Sequence, residues 1–545
     1  MTGIEPKKPY FGLKGGWLTF WITLACATDM SLFGYDQGVP IGGVVITQDY
    51  LDVHDLNGPN KTNILSIVTS IYTIGCFLGA AVAFSIGERL GRKKTILVGT
   101  SVMTVGGILQ TSSFSVPHMI VARIITGIGN GINTATAPVW QTETSNVHNR
   151  GKLVLFEMSM NILGFMLSNW INFGMSFVGG SVGWRFPLAV QLLFCFVLFA
   201  TVPWLPESPR WLIAHGQHDE ARVILADLDD KLVDDPYVVA EHQEISFSVE
   251  YERKNAIRWR DILRGRTTAG TKTIRRLLLG VGTQAMQQLG GINIMSYWYG
   301  LNLPTVLISS VKLNERMARL IAACASVAYL FASLGAAPLV ERYGRRMMMM
   351  ISTTIQFFCF LILTVLLSYT EKPGYAFQVE VAKASVVWFF VYYMGFALGM
   401  LGIPWLYPTE INSLPMRTKG AAIATMTDWL TNFIVVEVTP IGIQNLSWRF
   451  YIIWAITNAA FLPVIWLFYP ETSNRTLEDL DAYYRDNPPV IVVNDKDSIS
   501  GRRPERFVRA QGRDIEEAAK GLGRRSIVES EESEEPKTSL NEKVV

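Results

Sequence analysis

The chain has 545 residues and only 17% of them are charged, against roughly 25% in average soluble domains. Fifty-five of its 94 charged residues crowd into 207–276 and 470–545, which leaves two long apolar blocks. A secreted mini-protein and a coiled coil are excluded by this pattern. A nucleic-acid binder is excluded by the net charge of +2 and by the lack of a basic stripe with interleaved aromatics.

A membrane-spanning helix needs about 20 mostly apolar residues. Twelve such runs are predicted, near 17–37, 64–85, 95–114, 118–140, 153–176, 183–204, 276–297, 317–340, 347–368, 381–407, 420–442 and 449–469. The expected fold is therefore an all-α membrane protein with twelve transmembrane helices. Residues 17–204 and 276–469 form its two six-helix bundles. Residues 1–16 are a cytoplasmic N-terminus, and 205–275 a cytoplasmic helical insert with amphipathic patches such as Ala221, Val223, Ile224, Leu225 and Leu228. Residues 470–545 are a cytoplasmic tail, polar from about 488 and expected to be mostly disordered because it cannot bury a core.

Lys and Arg in the short loops set the orientation. Eleven follow even-numbered spans: Arg89, Arg92, Lys93, Lys94, Arg150, Lys152, Arg342, Arg345, Arg346, Arg417 and Lys419. Four follow odd-numbered spans: Lys61, Lys312, Arg316 and Lys372. Both termini are thus expected in the cytoplasm. The first span lacks a small-residue cleavage site and reads as a retained helix. Cys26, Cys76, Cys195, Cys324 and Cys359 all fall within spans without metal-ligand spacing, so they read as small buried apolar residues. No metal and no cofactor is expected. Asn60-Lys61-Thr62 and Asn445-Leu446-Ser447 are glycosylation sequons.

The two blocks share landmarks. Glu88 and Arg92 follow span two, as Glu341 and Arg345 follow span eight. Glu143 and Arg150 follow span four, as Glu410 and Arg417 follow span ten. Glu207 and Arg210 follow span six, and Glu471 follows span twelve. The offsets are 253, 267 and 264 residues. Such a parallel repeat is the architecture of transporters that hold substrate near the midplane and rock around it. Acids and bases at the cytoplasmic helix ends are suited to act as latches that pair across neighbouring helices when that side is shut.

These motifs carry a resemblance. GYDQG at 34–38, GERLGRKK at 87–94, Arg123 with Gly127, Gly129 and Gly131, PVWQTE at 138–143, PESPRWL at 206–212, QQLGGIN at 287–293, VERYGRR at 340–346, PWLYPTE at 404–410 and PETSNRTLE at 470–478 fall in one order over about 17–480. The chain resembles the sugar porter family of the major facilitator superfamily, most closely its fungal hexose and sugar transporters. The resemblance implies alternating access in a plasma-membrane protein, a sugar and a proton as partners, and a monomeric transport unit. It does not choose between proton symport and facilitative uniport.

Site residues follow. An acid inside a span is a functional candidate because its insertion costs roughly 2.5–3.5 kcal/mol. Asp36 in span one and Arg123 in span four match the family's proton-coupling pair. Gln287, Gln288 and Asn293 lie within two turns, and amides both donate to and accept from hydroxyls; the family uses these positions for sugar. Trp405 and Trp429 are candidates for the apolar sugar face, Asn432 for a further polar contact, and Tyr297 and Trp298 for an outer gate. Met158 and Tyr329 stand where many sugar porters place amides, and Asp428 where a neutral residue is usual. Glu437 is a further acid in span eleven. These departures leave open a polyol such as glycerol, a disaccharide or an acidic sugar as substrate. They also leave open a second proton site, or a water-filled cavity, at Asp428 and Glu437.

A non-transporting sugar receptor on the same scaffold is the alternative class. An enzyme has no support: there is no Ser-His-Asp arrangement, metal-spaced His or Cys cluster, or phosphate loop. Gly127, Gly129 and Gly131 imitate such a loop, but inside an apolar helix they read as close-packing positions.

Overall fold

The computed structural model describes residues 10–41, 43–58, 61–145, 150–255, 272–297, 315–475 and 477–506. No strand occurs among them. The first half holds α1 (Gly15–Ile41), α2 (Lys61–Leu90), α3 (Arg92–Thr111), α4 (Val116–Glu143), α5 (Arg150–Met175) and α6 (Val182–Thr201). The second holds α7 in two segments (Thr273–Leu289 and Ile292–Tyr297), α8 (Glu315–Tyr343), α9 (Arg345–Thr370), α10 in two segments (Gln378–Leu398 and Ile403–Ile411), α11 (Arg417–Leu446) and α12 (Phe450–Phe468). These are the twelve predicted spans, two of them broken.

Backbone proximity explains the glycines of α4. A methyl group on Gly127 would strike the Tyr72 carbonyl oxygen, and one on Gly131 that of Cys76, both on α2. Gly129 lies as close to Met103 on α3. Small residues thus let three helices pack backbone to backbone, the expected reading. Four cysteines are buried as expected, but Cys324 is exposed on α8.

The two breaks have backbone causes and side-chain remedies. Gly291 has φ +92°, which stops α7 after Gly290. The freed Gly290 carbonyl accepts Tyr392 Oη–H at 3.0 Å and Asn458 Nδ2–H at 3.1 Å. The carbonyls of Met400 and Leu401 in the α10 break accept Gln287 Nε2–H at 2.7 and 2.9 Å. Irregular backbone at membrane depth survives only where such partners replace water.

Between the halves lie helices Pro209–Ala214, His218–Leu228 and Pro236–Lys254 of the insert. Ala221 and Ile224 bury against Leu212 and Ile213. Trp211 Nε1–H donates to the Glu88 carbonyl at 2.7 Å, fixing the insert to the end of α2. Tyr10 Oη–H reaches Asp227 at 2.6 Å, so the N-terminal segment docks there as well.

The tail departs from expectation. Through residue 506 it is packed and not disordered. Arg276 is fully buried and pairs with Asp481 at 2.5 Å. Arg275 donates to the carbonyls of Pro488, Pro489 and Val490. Val492 N–H donates to the Leu467 carbonyl at 2.8 Å, and Arg503 grips Asp479 with two bonds. Arginines elsewhere supply what the segment's polar composition lacks. Residues 507–545 lie outside the described residues, as does Asn60 of the first sequon.

Candidate functional site

The halves meet along α2 with α11 and α5 with α8. Between them lies a cavity of about 70 Å³. Gln287, Gln288, Asn293, Trp405 and Asn432 line it, together with Asp428, Met158 and Tyr329. The amides of α7 are brought together because the break after Gly290 turns Asn293 back toward Gln288.

They form a chain. Gln288 Nε2–H donates to Asp428 Oδ1 at 2.9 Å. Asn293 Nδ2–H donates to Gln288 Oε1 at 2.8 Å and to Asn432 Oδ1 at 3.1 Å. Gln287 spends its donors on the α10 break, and its Oε1 has no hydrogen-bond partner. The opposite wall carries the apolar side chains of Phe33, Met158, Ile162 and Phe165. Gln37, Asn161 and Ser296 also line the cavity and were not singled out in the sequence, where nothing distinguishes them from other polar residues in spans.

Trp429 does not line the cavity. It is fully buried, with its ring edge-on to Phe33 at 5.4 Å and Tyr72 at 6.5 Å. One residue after Asp428, it points about 100° away, into the seam between the halves. The backbone of Tyr297 ends α7, while its side chain and all of Trp298 lie outside the described residues.

Asp36 and Arg123 are both buried and pair at 3.5 Å. The guanidinium carbon lies 4.4 Å from the centre of the Tyr72 ring. A smaller cavity touches Arg123 and shares Gln37 and Asn432 with the main one. Glu437 is elsewhere: it accepts Ser70 Oγ–H at 2.5 Å, while its carbonyl accepts Ser66 Oγ–H at 2.8 Å. It therefore ties α11 to α2 across the halves, away from the main cavity.

The charges at the helix ends pair within each half. Arg92 holds Glu143 with two bonds of 2.9 and 3.0 Å. Arg345 holds Glu410 at 2.9 and 3.2 Å and Glu341 at 3.2 and 3.3 Å. Glu207 accepts the backbone N–H groups of Arg92, Lys93 and Ser208, capping α3; Glu471 caps α9 through Arg345 and Arg346. Burial pushes the Glu207 carboxyl up, and those N–H donors pull it down. Both caps fill space left by a positive-φ glycine, Gly91 and Gly344. Arg210 pairs instead with Glu252 of the insert at 2.5 Å. Glu88 is exposed, and Arg417 half-buried at the first turn of α11. The Arg150 side chain lies outside the described residues. Across the halves, a methyl group on Gly151 would come within 2.8 Å of Glu341.

Two further acids escaped the sequence reading. Asp29 and Glu157 are 2% and 0% exposed inside α1 and α5. The signal was present, an acid inside a span.

Twelve helices in two similar halves around a central cavity define a membrane transporter of the major facilitator fold, not an enzyme. The chain belongs to the family described as "Sugar (and other) transporter", which matches residues 21–484. It is 62% identical over 523 residues to the MFS-type transporter oryC of Aspergillus oryzae, covering 96% of this chain and 95% of that one. It is 35% identical over 523 residues to the sugar transporter STL1 of Saccharomyces cerevisiae, covering 93% and 89%. Among solved structures, the proton:xylose symporter XylE bound to 6-bromo-6-deoxy-D-glucose superposes with a TM-score of 0.71 at 25% identity, covering 86% of this chain and 99% of that one.

Proposed function

We propose that the protein imports a monosaccharide, a hexose or a pentose, across the plasma membrane by proton-driven alternating access, as a monomer with both termini in the cytoplasm. The observation that carries this reading is the carboxylate–amide chain Asp428–Gln288–Asn293–Asn432 in a cavity between the halves. Its alternating donors and acceptors suit a polyhydroxylated solute. The half-buried Trp405 beside it offers a flat apolar face to C–H surfaces. The buried Asp36–Arg123 pair supports proton coupling: protonating the acid breaks the pair and frees α1 from α4. The latches Arg92–Glu143 and Arg345–Glu410 keep the cytoplasmic ends of each half rigid as it rocks. XylE, a proton:xylose symporter, supports the same reading.

The test is uptake of labelled D-glucose and D-xylose in hexose-uptake-deficient cells, with and without a protonophore. Uphill uptake that collapses with the protonophore supports symport. Downhill uptake indifferent to it makes the protein a uniporter. Uptake of glycerol or another polyol alone moves the substrate to that class, for which Asp428 is the supporting observation. No uptake of any sugar or polyol sinks this reading.

A further inference from the structure

Asp29 on α1 and Glu157 on α5 are buried inside the first half where these two helices pack closely: Ser31 Oγ–H donates to the Met160 carbonyl at 3.0 Å and Asn161 Nδ2–H to the Met30 carbonyl at 3.5 Å. Asp29 lies seven residues before Asp36, which places both on one face of α1 about 10 Å apart along the axis. Its Oδ1 accepts Asn133 Nδ2–H from α4 at 2.7 Å, and its Oδ2 has no hydrogen-bond partner. Neither carboxylate oxygen of Glu157 has one. Glu157 is fully buried and lies within electrostatic reach of Asp29.

Among the described residues, the surrounding elements supply no counter-charge. On α1 itself the neighbours are Cys26 and Asp36. On α4, Arg123 is held by Asp36 and Tyr72. On α6 the titratable groups are Cys195, buried, and Arg185, which is bonded to the Thr111 and Ser113 carbonyls at the outer end. On α5, Lys152 lies more than a turn toward the cytoplasm. On α8, Glu341 and Arg342 sit at the cytoplasmic end and Arg319 at the outer end, where it donates to the Asn172 and Gly43 carbonyls. On α10, Tyr407 donates to the Pro470 carbonyl and Glu410 is held by Arg345. On the insert helix, Asp227 is held by Tyr10 and Lys14.

An ionised carboxylate without a partner is among the costliest groups to bury, and two like charges sharing one site do not both ionise. A proton on one of the carboxyls removes one of the two charges. Asn133 turns an N–H, not an oxygen, toward Asp29, which suits a carboxyl pair better than a metal cation. Glu157 adjoins Met158, and Asp29 lies one turn from Phe33, both in the cavity wall. We propose that Asp29 and Glu157 form a proton-holding carboxyl pair, distinct from Asp36 and Arg123, whose protonation is linked to the packing of α1 and α5 around the cavity. The link to a transport cycle rests on the function proposed above; the bound proton does not.

The test uses full-length protein in lipid nanodiscs. Infrared difference spectra across a pH titration read the protonated carboxyl C=O stretch. Wild type is expected to show such a band at neutral pH. The Asp29→Asn, Glu157→Gln double variant is expected to lose it, while Asp36→Asn retains it. The near-isosteric single variants and a melting curve control for folding. In cells, the double variant is expected to move the pH of half-maximal D-xylose uptake by about one unit or more, the scale of coupled carboxyl titrations. Identical spectra in wild type and double variant overturn the proposal. So does a band that appears only when sodium and potassium are removed, which makes the pair a cation site. The band present with no D-xylose uptake in any variant leaves the proton site standing and removes the sugar-transport reading instead.

Discussion

Gln288 donates its amide N–H to the Asp428 carboxylate at 2.9 Å, joining α7 to α11 across the cavity wall. The bond fixes which way the amide faces: its oxygen turns to Asn293, whose own nitrogen bridges on to Asn432. A carboxylate at 428 therefore orders three amides.

Asp428→Ala strips this chain of its charged acceptor and leaves the Gln288 donor unsatisfied. Hydrogen bonds to charged groups contribute about 1.5–3 kcal/mol, which is roughly a 10- to 100-fold loss of affinity. Asp428→Asn keeps an acceptor and loses only the charge, so it falls between. Competition of unlabelled sugars against labelled uptake measures both. An unchanged affinity in Asp428→Ala would place the substrate elsewhere.

Asp36→Asn removes the buried charge that faces Arg123 at 3.5 Å. If that pair couples the proton, uphill accumulation is lost while exchange of labelled for unlabelled sugar across the membrane continues. Exchange needs only the swing of the loaded carrier and no net proton movement. Accumulation that survives the substitution ends this role for Asp36.

The spans were legible because each apolar run matches the membrane thickness, and the repeat because charges recur at its inner edge. Even so, seven helical stretches among the described residues are apolar enough on their own, and α1, α3, α4 and α7 are not among them. Three of those four carry inward-facing polar groups: Asp29 and Asp36, Arg123 and Asn133, Gln287 and Gln288. The same chemistry that weakens the hydropathy signal builds the site. Asp428 was legible as an anomaly in α11, but its bond to Gln288 was not, since 140 residues separate them. Trp429 was misplaced because adjacency in sequence is a rotation of about 100° on a helix. Which acid Arg92 takes, Glu143 of α4 in the same half, depends on loop geometry that no motif spells out. The order of residues 488–506 was hidden for another reason. It comes from residues outside the segment: Arg275, 213 residues before Pro488, bonds the Pro488, Pro489 and Val490 carbonyls, Leu467 takes the Val492 N–H, and Asp479 takes Arg503.

That docked segment separates stability from signalling. Truncation after residue 506 keeps every contact described here, so melting temperature and uptake are expected to match wild type. Truncation before Leu477 removes Asp481 and leaves Arg276 buried without its carboxylate. Breaking a buried ion pair from one side costs about 3–5 kcal/mol, and Arg276→Met, which removes the charge as well, is expected to recover part of the loss. Thermal melting in detergent reads both. A receptor would lose its output on the first truncation, with transport absent from the start.

Arg92 and Arg345 are similar in sequence but not in strength. Arg92 has one carboxylate partner, Glu143, and its side chain is 17% exposed. Arg345 has two, Glu410 and Glu341, and is 6% exposed. Lower exposure and a second partner predict that Arg345→Ala lowers the melting temperature more than Arg92→Ala. Lysine at 345 is expected to recover little, because a point charge does not reproduce the planar two-bond grip. A double-mutant cycle of Arg345→Ala with Glu410→Ala is expected to give a coupling of about 1–3 kcal/mol. The cycle of Arg345→Ala with Glu143→Ala, which joins opposite halves, is expected to be additive. A large coupling in that second cycle would mean that the latch couples the two halves, and that the pairs seen here belong to one stage of a switch.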